Sequence, residues 1–308
     1  MPLFWVSFAI ALETRAAASL ENQLGTAALA SPRPRECRGA ANGEDGLWQR
    51  ARAGDAQRYC EILARSYARL AESPNDALSA AAAALAIAGE TPELRVLRGR
   101  ARLRLGQAAA ALDDFTKAES ADRQAFLAPK ALHDYARAAS IAGKPADAVR
   151  LYRVLVSRSA LVDDAREKTV LEIEAAAHVL AYAQNGSDEA LGYLAQARRD
   201  ALGLEPWING LRLLIAERSG HAERAPGASA SPSLRALNQP LAESAAGTPV
   251  LPPGEFEALR AALTDSGDTP ARRDLWRAFL SKAAPENLWL EQARKKSAEL
   301  AAVKGKAR

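Results

Sequence analysis

The chain of 308 residues is long enough for one extended repeat domain with additional segments, or for two compact domains. Alanine, the best helix former, dominates its apolar residues while aromatic residues make up only 6%, which excludes a sheet-dominated fold and predicts an all-α protein. The net charge of +4 resides in residues 291–308, which hold six Lys and Arg residues against two Glu, so the rest is neutral and no nucleic-acid partner is expected.

The N-terminus predicts a signal sequence within residues 1–30. Residues 1–12 are uncharged, too short for a membrane-spanning helix of ~20 residues, but suited to the apolar part of a signal peptide at ~7–15 residues. Two segments, residues 16–18 and 28–30, have a small residue at the first and third position, as a signal-peptide cleavage site requires. Against export, no Lys or Arg precedes the run, and charged residues crowd its end. We expect a periplasmic or secreted protein; the alternative is a cytoplasmic chain with a buried start segment.

The two cysteines form a candidate disulfide. Cys37 lies in a loop predicted over 31–46, which is rich in Pro, Arg and Gly, and Cys60 lies in the first strongly amphipathic helix. In an exported protein such a pair would tie the loop to that helix, stabilising the fold by about 3 kcal/mol in the chain-entropy model. The alternative is two free thiols, one of them buried as a small apolar group.

A repeated helical hairpin runs through the middle of the chain. Its clearest unit has small residues at Gly99, Ala111 and Ala118, an aromatic residue at Phe115 and a turn glycine at Gly106. Small residues let two helices approach closely, the aromatic ring fills the groove between neighbouring units, and glycine permits the turn. At spacings of 34, 37 and 42 residues, the small residue of the second helix recurs as Ala77, Ala111, Ala148 and Ala190.

This pattern resembles the tetratricopeptide repeat, a helix–turn–helix unit of about 34 residues. The resemblance covers residues 47–224 as about four units and a partial fifth, although the tryptophan of the family's first helix is absent. It implies a right-handed α-α superhelix of stacked units that binds another protein. Helical-hairpin repeats of slightly different length are the structural alternative.

The resemblance also implies a binding groove lined by the first helix of each unit. By position, its candidate residues are Arg69, Arg100, Arg104, His133 and Arg137. The Lys and Asn set of the subgroup that grips chaperone C-termini is missing. The expected partner is therefore an acidic or amphipathic protein segment whose carboxylates pair with the guanidinium groups. Alternatively, these arginines extend into solvent or pair with acids of the chain itself.

Beyond the repeats, residues 225–254 are rich in Pro, Ser and Ala and show little apolar periodicity. They predict either a flexible linker or an extended strip laid along the repeats. Residues 255–303 predict a small helical cap, since terminal repeats need atypical faces, and residues 304–308 a basic tail. Because proline is tolerated at helix starts, the three cap helices are expected at 255–264, 270–282 and 285–303.

The sequence contains no recognisable catalytic or metal-binding motif. It lacks a nucleophile elbow, a phosphate-binding loop and paired metal-ligand spacings. His133, His178 and His221 fall on different units, and His178 occupies a small packing position, which favours a core residue over a ligand. We expect no enzyme activity, metal, cofactor or small-molecule substrate.

Two functions stay open: an adaptor or scaffold in a bacterial cell envelope that binds a partner segment, or a structural subunit of a larger envelope complex. The oligomeric state is left open.

Overall fold

The computed structural model describes Cys37 and residues 53–200, 203–219, 248–264 and 269–306. Every regular element in these ranges is helical, which confirms the predicted all-α class. The predicted signal sequence, the rest of the 31–46 loop, residues 220–247 and the last two residues lie outside the described part. The described helices are α1 (Ala53–Arg69), α2 (Pro74–Ala88), α3 (Pro92–Arg104), α4 (Ala108–Ala121), α5 (Pro129–Ile141), α6 (Pro145–Ser157), α7 (Ala165–Tyr182), α8 (Gly186–Ala197), α9 (Glu205–Arg218), α10 (Glu255–Leu263), α11 (Thr269–Lys282) and α12 (Leu290–Lys306).

Helices that follow one another in the chain pack against one another. α1 with α2, α3 with α4, α5 with α6 and α7 with α8 form four helix–turn–helix pairs, and the second helix of each pair contacts the first helix of the next. The first helices of neighbouring pairs also touch, α1 with α3 and α3 with α5. The described residues thus form a row of consecutive helical pairs, which is the arrangement expected from the repeated sequence pattern.

The recurring alanines of the second helices, which we call the signature alanines, all lie in the core. Ala77, Ala111, Ala148 and Ala190 are buried near the start of α2, α4, α6 and α8, respectively. Gly99 shows why its position must be small: a Cβ added there would come within 2.7 Å of the buried Phe115 ring. The small residue on α3 and the aromatic residue on α4 therefore depend on each other, as the sequence pattern predicts.

The three C-terminal helices pack onto the end of the row through α9. α10 contacts α9, and residues of α7, α9, α10, α11 and α12 share one hydrophobic cluster. Arg218 on α9 and Glu255 on α10 form a buried ion pair at 2.9 Å, and the Arg218 guanidinium lies 5.0 Å from the Trp289 ring centroid. The predicted cap region is thus continuous with the core of the repeats.

The last helix starts later than its proline suggests. It begins at Leu290 rather than at 285, because residues 287–289 are held in a turn that caps α7. The backbone N–H of Leu288 donates to the Ala181 carbonyl at 3.0 Å, and the indole Nε1 of Trp289 donates to the Leu180 carbonyl at 2.6 Å. These bonds satisfy carbonyl groups that the end of a helix leaves without partners.

The predicted disulfide between Cys37 and Cys60 is present. It joins the N-terminal loop to α1 across a Cα–Cα distance of 5.8 Å, and the buried Cys37 packs in the same apolar cluster as Tyr59 and Leu63. A disulfide in a chain of this size points to an oxidising compartment. Among the described helices, none combines the length and apolar character needed to cross a membrane.

Candidate partner-binding site on the first helices of the pairs

Four of the five predicted groove residues contact a carboxylate: Arg100 and Arg104 contact Asp134 on α5, and His133 and Arg137 contact Glu174 on α7. We call the surface that carries Arg100, Arg104 and Arg137 the arginine face. Arg100 and Arg104 project from one side of α3, four residues apart, and Arg137 projects from α5. The arginine face therefore spans α3, α5 and α7.

Asp134 on α5 receives the two arginines of α3. Nε of Arg100 donates to Oδ2 of Asp134 at 2.6 Å, and Nη1 of Arg104 donates to the same oxygen at 3.1 Å. Burial alone would raise the pKa of Asp134, but the two guanidinium groups outweigh it and hold that pKa below its usual value. Asp134 is thus ionised at neutral pH and locks α3 against α5.

Glu174 on α7 is fully buried and is the centre of a second cluster. Its carboxylate accepts from Nη2 of Arg137 at 2.6 Å, from the hydroxyl of Tyr152 at 2.8 Å and from the backbone N–H of Val250 at 2.8 Å, and it lies 2.7 Å from Nε2 of His133. Burial opposes ionisation, yet Arg137 and His133 lower the pKa of Glu174 well below the usual range. One carboxylate therefore joins α5, α6, α7 and the segment before α10; we call these groups the Glu174 cluster.

His178, one turn beyond Glu174, is a buried structural residue, as the sequence favours. Its Nδ1 lies 2.7 Å from the Glu174 carbonyl, and its Nε2 lies 2.7 Å from the Ser140 hydroxyl. A carbonyl can only accept, so Nδ1 carries the proton and Nε2 accepts from Ser140. Burial lowers the pKa of His178 to about 4, so the ring is neutral at pH 7 and unfit for proton transfer there.

Glu172 shares α7 with Glu174 but has the opposite environment. Its side chain is buried, and its Oε1 has no hydrogen-bond partner among the described residues. Burial, reinforced by the charge of Asp200 and only partly opposed by Lys168, raises the pKa of Glu172 to about 7. The two acids, separated by one residue, therefore differ because Arg137 and His133 outweigh burial at Glu174, whereas Lys168 only partly opposes burial at Glu172.

The predicted groove residues are thus distributed as follows. Arg100, Arg104, His133 and Arg137 join the two carboxylate clusters, whereas Arg69 lies exposed at the end of α1 and belongs to neither. The side chains of Arg100, Arg104 and Arg137 remain 14%, 30% and 26% exposed. The structure therefore contains the alternative that the sequence left open, in which these arginines pair with acids of the chain itself, and each arginine side chain stays partly exposed.

Sequence reasoning missed Glu174, Asp134 as a hub, and residues 248–250. One signal was available for Glu174: it stands within the apolar run of α7, one turn before His178, where an acid is buried only with partners. No comparable local signal marks Val250, since its backbone N–H meets Glu174 from 76 positions away.

No described group of three or more His, Cys, Asp or Glu side chains has an arrangement that would hold a metal ion. The arginine face carries guanidinium donors and a buried carboxylate acceptor, groups that form charge-assisted hydrogen bonds. Comparison with protein-family models, with curated proteins and with solved structures found no significant match to this chain.

Proposed function

We propose that this chain is a scaffold or adaptor of the tetratricopeptide kind, acting in a bacterial cell envelope and binding an extended segment of a partner protein on the arginine face. The observation that carries the proposal is the Val250–Glu174 hydrogen bond, because the arginine face already holds a non-helical piece of polypeptide by its backbone. In this proposal the chain performs no catalysis and needs no metal, cofactor, nucleic acid or small-molecule substrate.

Two further observations support the proposal. The equivalent burial of Ala77, Ala111, Ala148 and Ala190 favours a right-handed superhelix of stacked units, whose first helices would line a concave surface. The Cys37–Cys60 disulfide and the predicted signal sequence both favour an exported protein over a cytoplasmic one.

Site-specific photo-cross-linking in intact cells tests the proposal. A photoreactive amino acid replaces Ile141, which is 54% exposed at the end of α5, four residues after Arg137 on the same helix. The matched control replaces Leu191, which is 39% exposed on α8, the second helix of its pair. We expect one discrete protein adduct from the Ile141 position and none of the same mass from Leu191. A cross-linker at Ile141 that captures no protein, at equal expression, would rule out the groove as a binding site.

A structural subunit of a larger envelope complex is the second candidate. It is favoured by Leu127 and Leu161, which lie one 34-residue period apart in equivalent connections and expose 56% and 62% of their surface. Apolar side chains repeated along one edge suit a permanent interface. The two functions predict different rates of partner exchange. A partner that co-purifies in fixed stoichiometry and does not exchange with added partner supports the structural subunit. A partner that does exchange supports the adaptor.

A further inference from the structure

The segment before α10 contacts the arginine face through the Val250–Glu174 hydrogen bond. Residues 248–250 have no regular secondary structure, Pro249 is buried, and Leu251 packs against the cluster shared by α7 and α9. Pro252 is buried next to the start of α10, where its carbonyl accepts from the Glu255 N–H at 3.0 Å. We call residues 248–252 the strap. The strap is the described end of the 225–254 segment, whose residues up to 247 lie outside the described part of the chain.

The strap makes a single polar contact with the Glu174 cluster. Oε1 of Glu174 accepts from both Arg137 and Val250, whereas Oε2 accepts from Tyr152 and faces His133. The other partners, Arg137, His133 and Tyr152, stand on α5 and α6. Removing the strap therefore leaves an ionised, oriented carboxylate with one open acceptor position and its remaining partners in place.

Next to this acceptor lies an unused donor. Nε and Nη2 of Arg137 donate to Glu174, and Nη1 makes no hydrogen bond to the described residues. The partly exposed Arg137 side chain therefore offers a charged donor next to the carboxylate oxygen that accepts the Val250 N–H. The two groups together fit an extended peptide that offers a backbone N–H to Glu174 and a carboxylate to Arg137.

We propose that the strap is a built-in competitor that occupies the partner site in cis, and that a partner binds by displacing it with an extended, acidic, proline-flanked segment. This inference rests on the proposed function and adds the partner's chemistry and its regulation. The apparent affinity for a partner is then reduced by the fraction of molecules whose strap is seated, so weakening the strap raises that affinity without a new contact.

Two substitutions at one position test the competition. Val250→Pro removes the donating N–H, whereas Val250→Ala keeps it and is the matched control. The probe is a fluorescein-labelled peptide with the sequence of residues 246–254, extended at one end by two aspartates, added to the full chain. We expect Val250→Pro to bind it about ten-fold or more tightly than the wild type, and Val250→Ala to do so by less than about three-fold. Equal binding by both variants, with equal helicity by circular dichroism, would overturn the proposal.

A second measurement uses the wild-type chain. The same peptide carrying N-methylvaline in place of its valine keeps the side chain but lacks the N–H, so it should bind far more weakly. Backbone hydrogen exchange of residues 248–252 should accelerate when the unmodified peptide saturates the protein and stay unchanged with the N-methylated one. A saturating peptide that leaves this exchange unaltered would show that it binds elsewhere and would refute displacement.

The cross-linking experiment separates this inference from the proposed function. If the yield of the cellular adduct at Ile141 is no higher in Val250→Pro than in Val250→Ala, the binding groove is supported and the strap is refuted as a competitor. If Val250→Pro binds the peptide more tightly but no cellular adduct forms, the strap is supported as a competitor and the adaptor function is refuted.

Discussion

Glu172 and Glu174 offer a paired test of how this fold treats buried charge. Both side chains lie on α7 and are buried, but Glu174 faces Arg137, His133 and Tyr152 while Oε1 of Glu172 has no hydrogen-bond partner among the described residues. Replacing each by glutamine removes the charge and nearly preserves the shape. We expect the two substitutions to change the free energy of unfolding in opposite directions.

For Glu172 the magnitude follows from its pKa. Its value of about 7, against 4.5 for an unperturbed glutamate, means that the folded chain holds a proton more tightly than the unfolded chain. The stabilisation that protonation of Glu172 contributes is therefore greatest below pH 4.5 and is lost as the pH rises through 7. A shift of 2.5 units corresponds to at most about 3 kcal/mol. Glu172→Gln, which never ionises, should thus raise the free energy of unfolding by up to about 3 kcal/mol at pH 8 and by much less at pH 5.

For Glu174 the change is a loss. Glutamine cannot neutralise Arg137, and its amide nitrogen cannot accept from Tyr152 or Val250, so a buried charge and buried donors lose their partner. Breaking a buried pair in this way costs about 3–5 kcal/mol. Because the pKa of Glu174 is held well below the usual range, its carboxylate is ionised throughout pH 5–8, and the loss should be similar at both ends of that interval.

Urea unfolding of the intact, oxidised chain at pH 5 and pH 8, followed by far-ultraviolet circular dichroism, measures both effects. The midpoints are compared at unchanged slope, so that a shift reports stability alone. Two results would refute the reasoning: a Glu172→Gln variant that is destabilised at pH 8, or one that is stabilised equally at both pH values. Either would mean that the Glu172 carboxylate is solvated or paired in the folded chain.

Three further substitutions probe the repeat packing, the disulfide and the buried histidine. Gly99→Ala should lower the free energy of unfolding by about 1–3 kcal/mol because the new Cβ would crowd Phe115. Gly192→Ala, whose Cβ would have no neighbour within 4 Å, should raise that free energy by about 0.5–1 kcal/mol through helix propensity. Equal effects of the two substitutions on urea unfolding would contradict the packing argument. Cys60→Ser should lower it by about 3 kcal/mol in oxidising buffer, and the difference from wild type should vanish in reductant. His178 has its pKa lowered from 6.5 to about 4, so the stability present above pH 6.5 should fall by up to about 3 kcal/mol as the pH drops to 4; His178→Gln should flatten that part of the urea–pH profile, and an unchanged slope would show that the ring protonates in the folded chain.

The parts of the fold that could be predicted are those determined by local spacing. The four signature alanines recur because each helix pair buries the same position of its second helix, and that requirement repeats along the sequence. The irregular spacings also have local causes. A short 3-10 helix, Arg123–Phe126, separates α4 from α5, and α7 is 18 residues long where α5 has 13. These additions account for repeats longer than 34 residues.

The carboxylate clusters could not be predicted because their members are far apart in sequence. Glu174 joins residues 41, 37 and 22 positions before it and one 76 positions after it. Which acid meets which arginine depends on the register between α5 and α7, and the lengthened repeat shifts that register away from the 34-residue period. The late start of α12 has the same origin, since proline tolerates a helix start at 285 while the contacts of Trp289 with α7 prevent one.

Burial of Glu174 needs an explanation other than stability, since an apolar residue of similar volume packs at least as well as a buried ion pair. The pair formed by Arg218 and Glu255 has one: it fixes the orientation of the C-terminal helices on α9, and its charged groups are almost wholly enclosed. Glu174 differs because one of its donors is the backbone of the strap, and its cationic partner still reaches the surface. Apolar residues at 174 and at the positions of its buried partners could preserve the packing of α5, α6 and α7 but could hold no segment of chain by its N–H. Under the proposed function, we therefore interpret the charge at this position as part of a recognition surface, with the strap as its resident ligand.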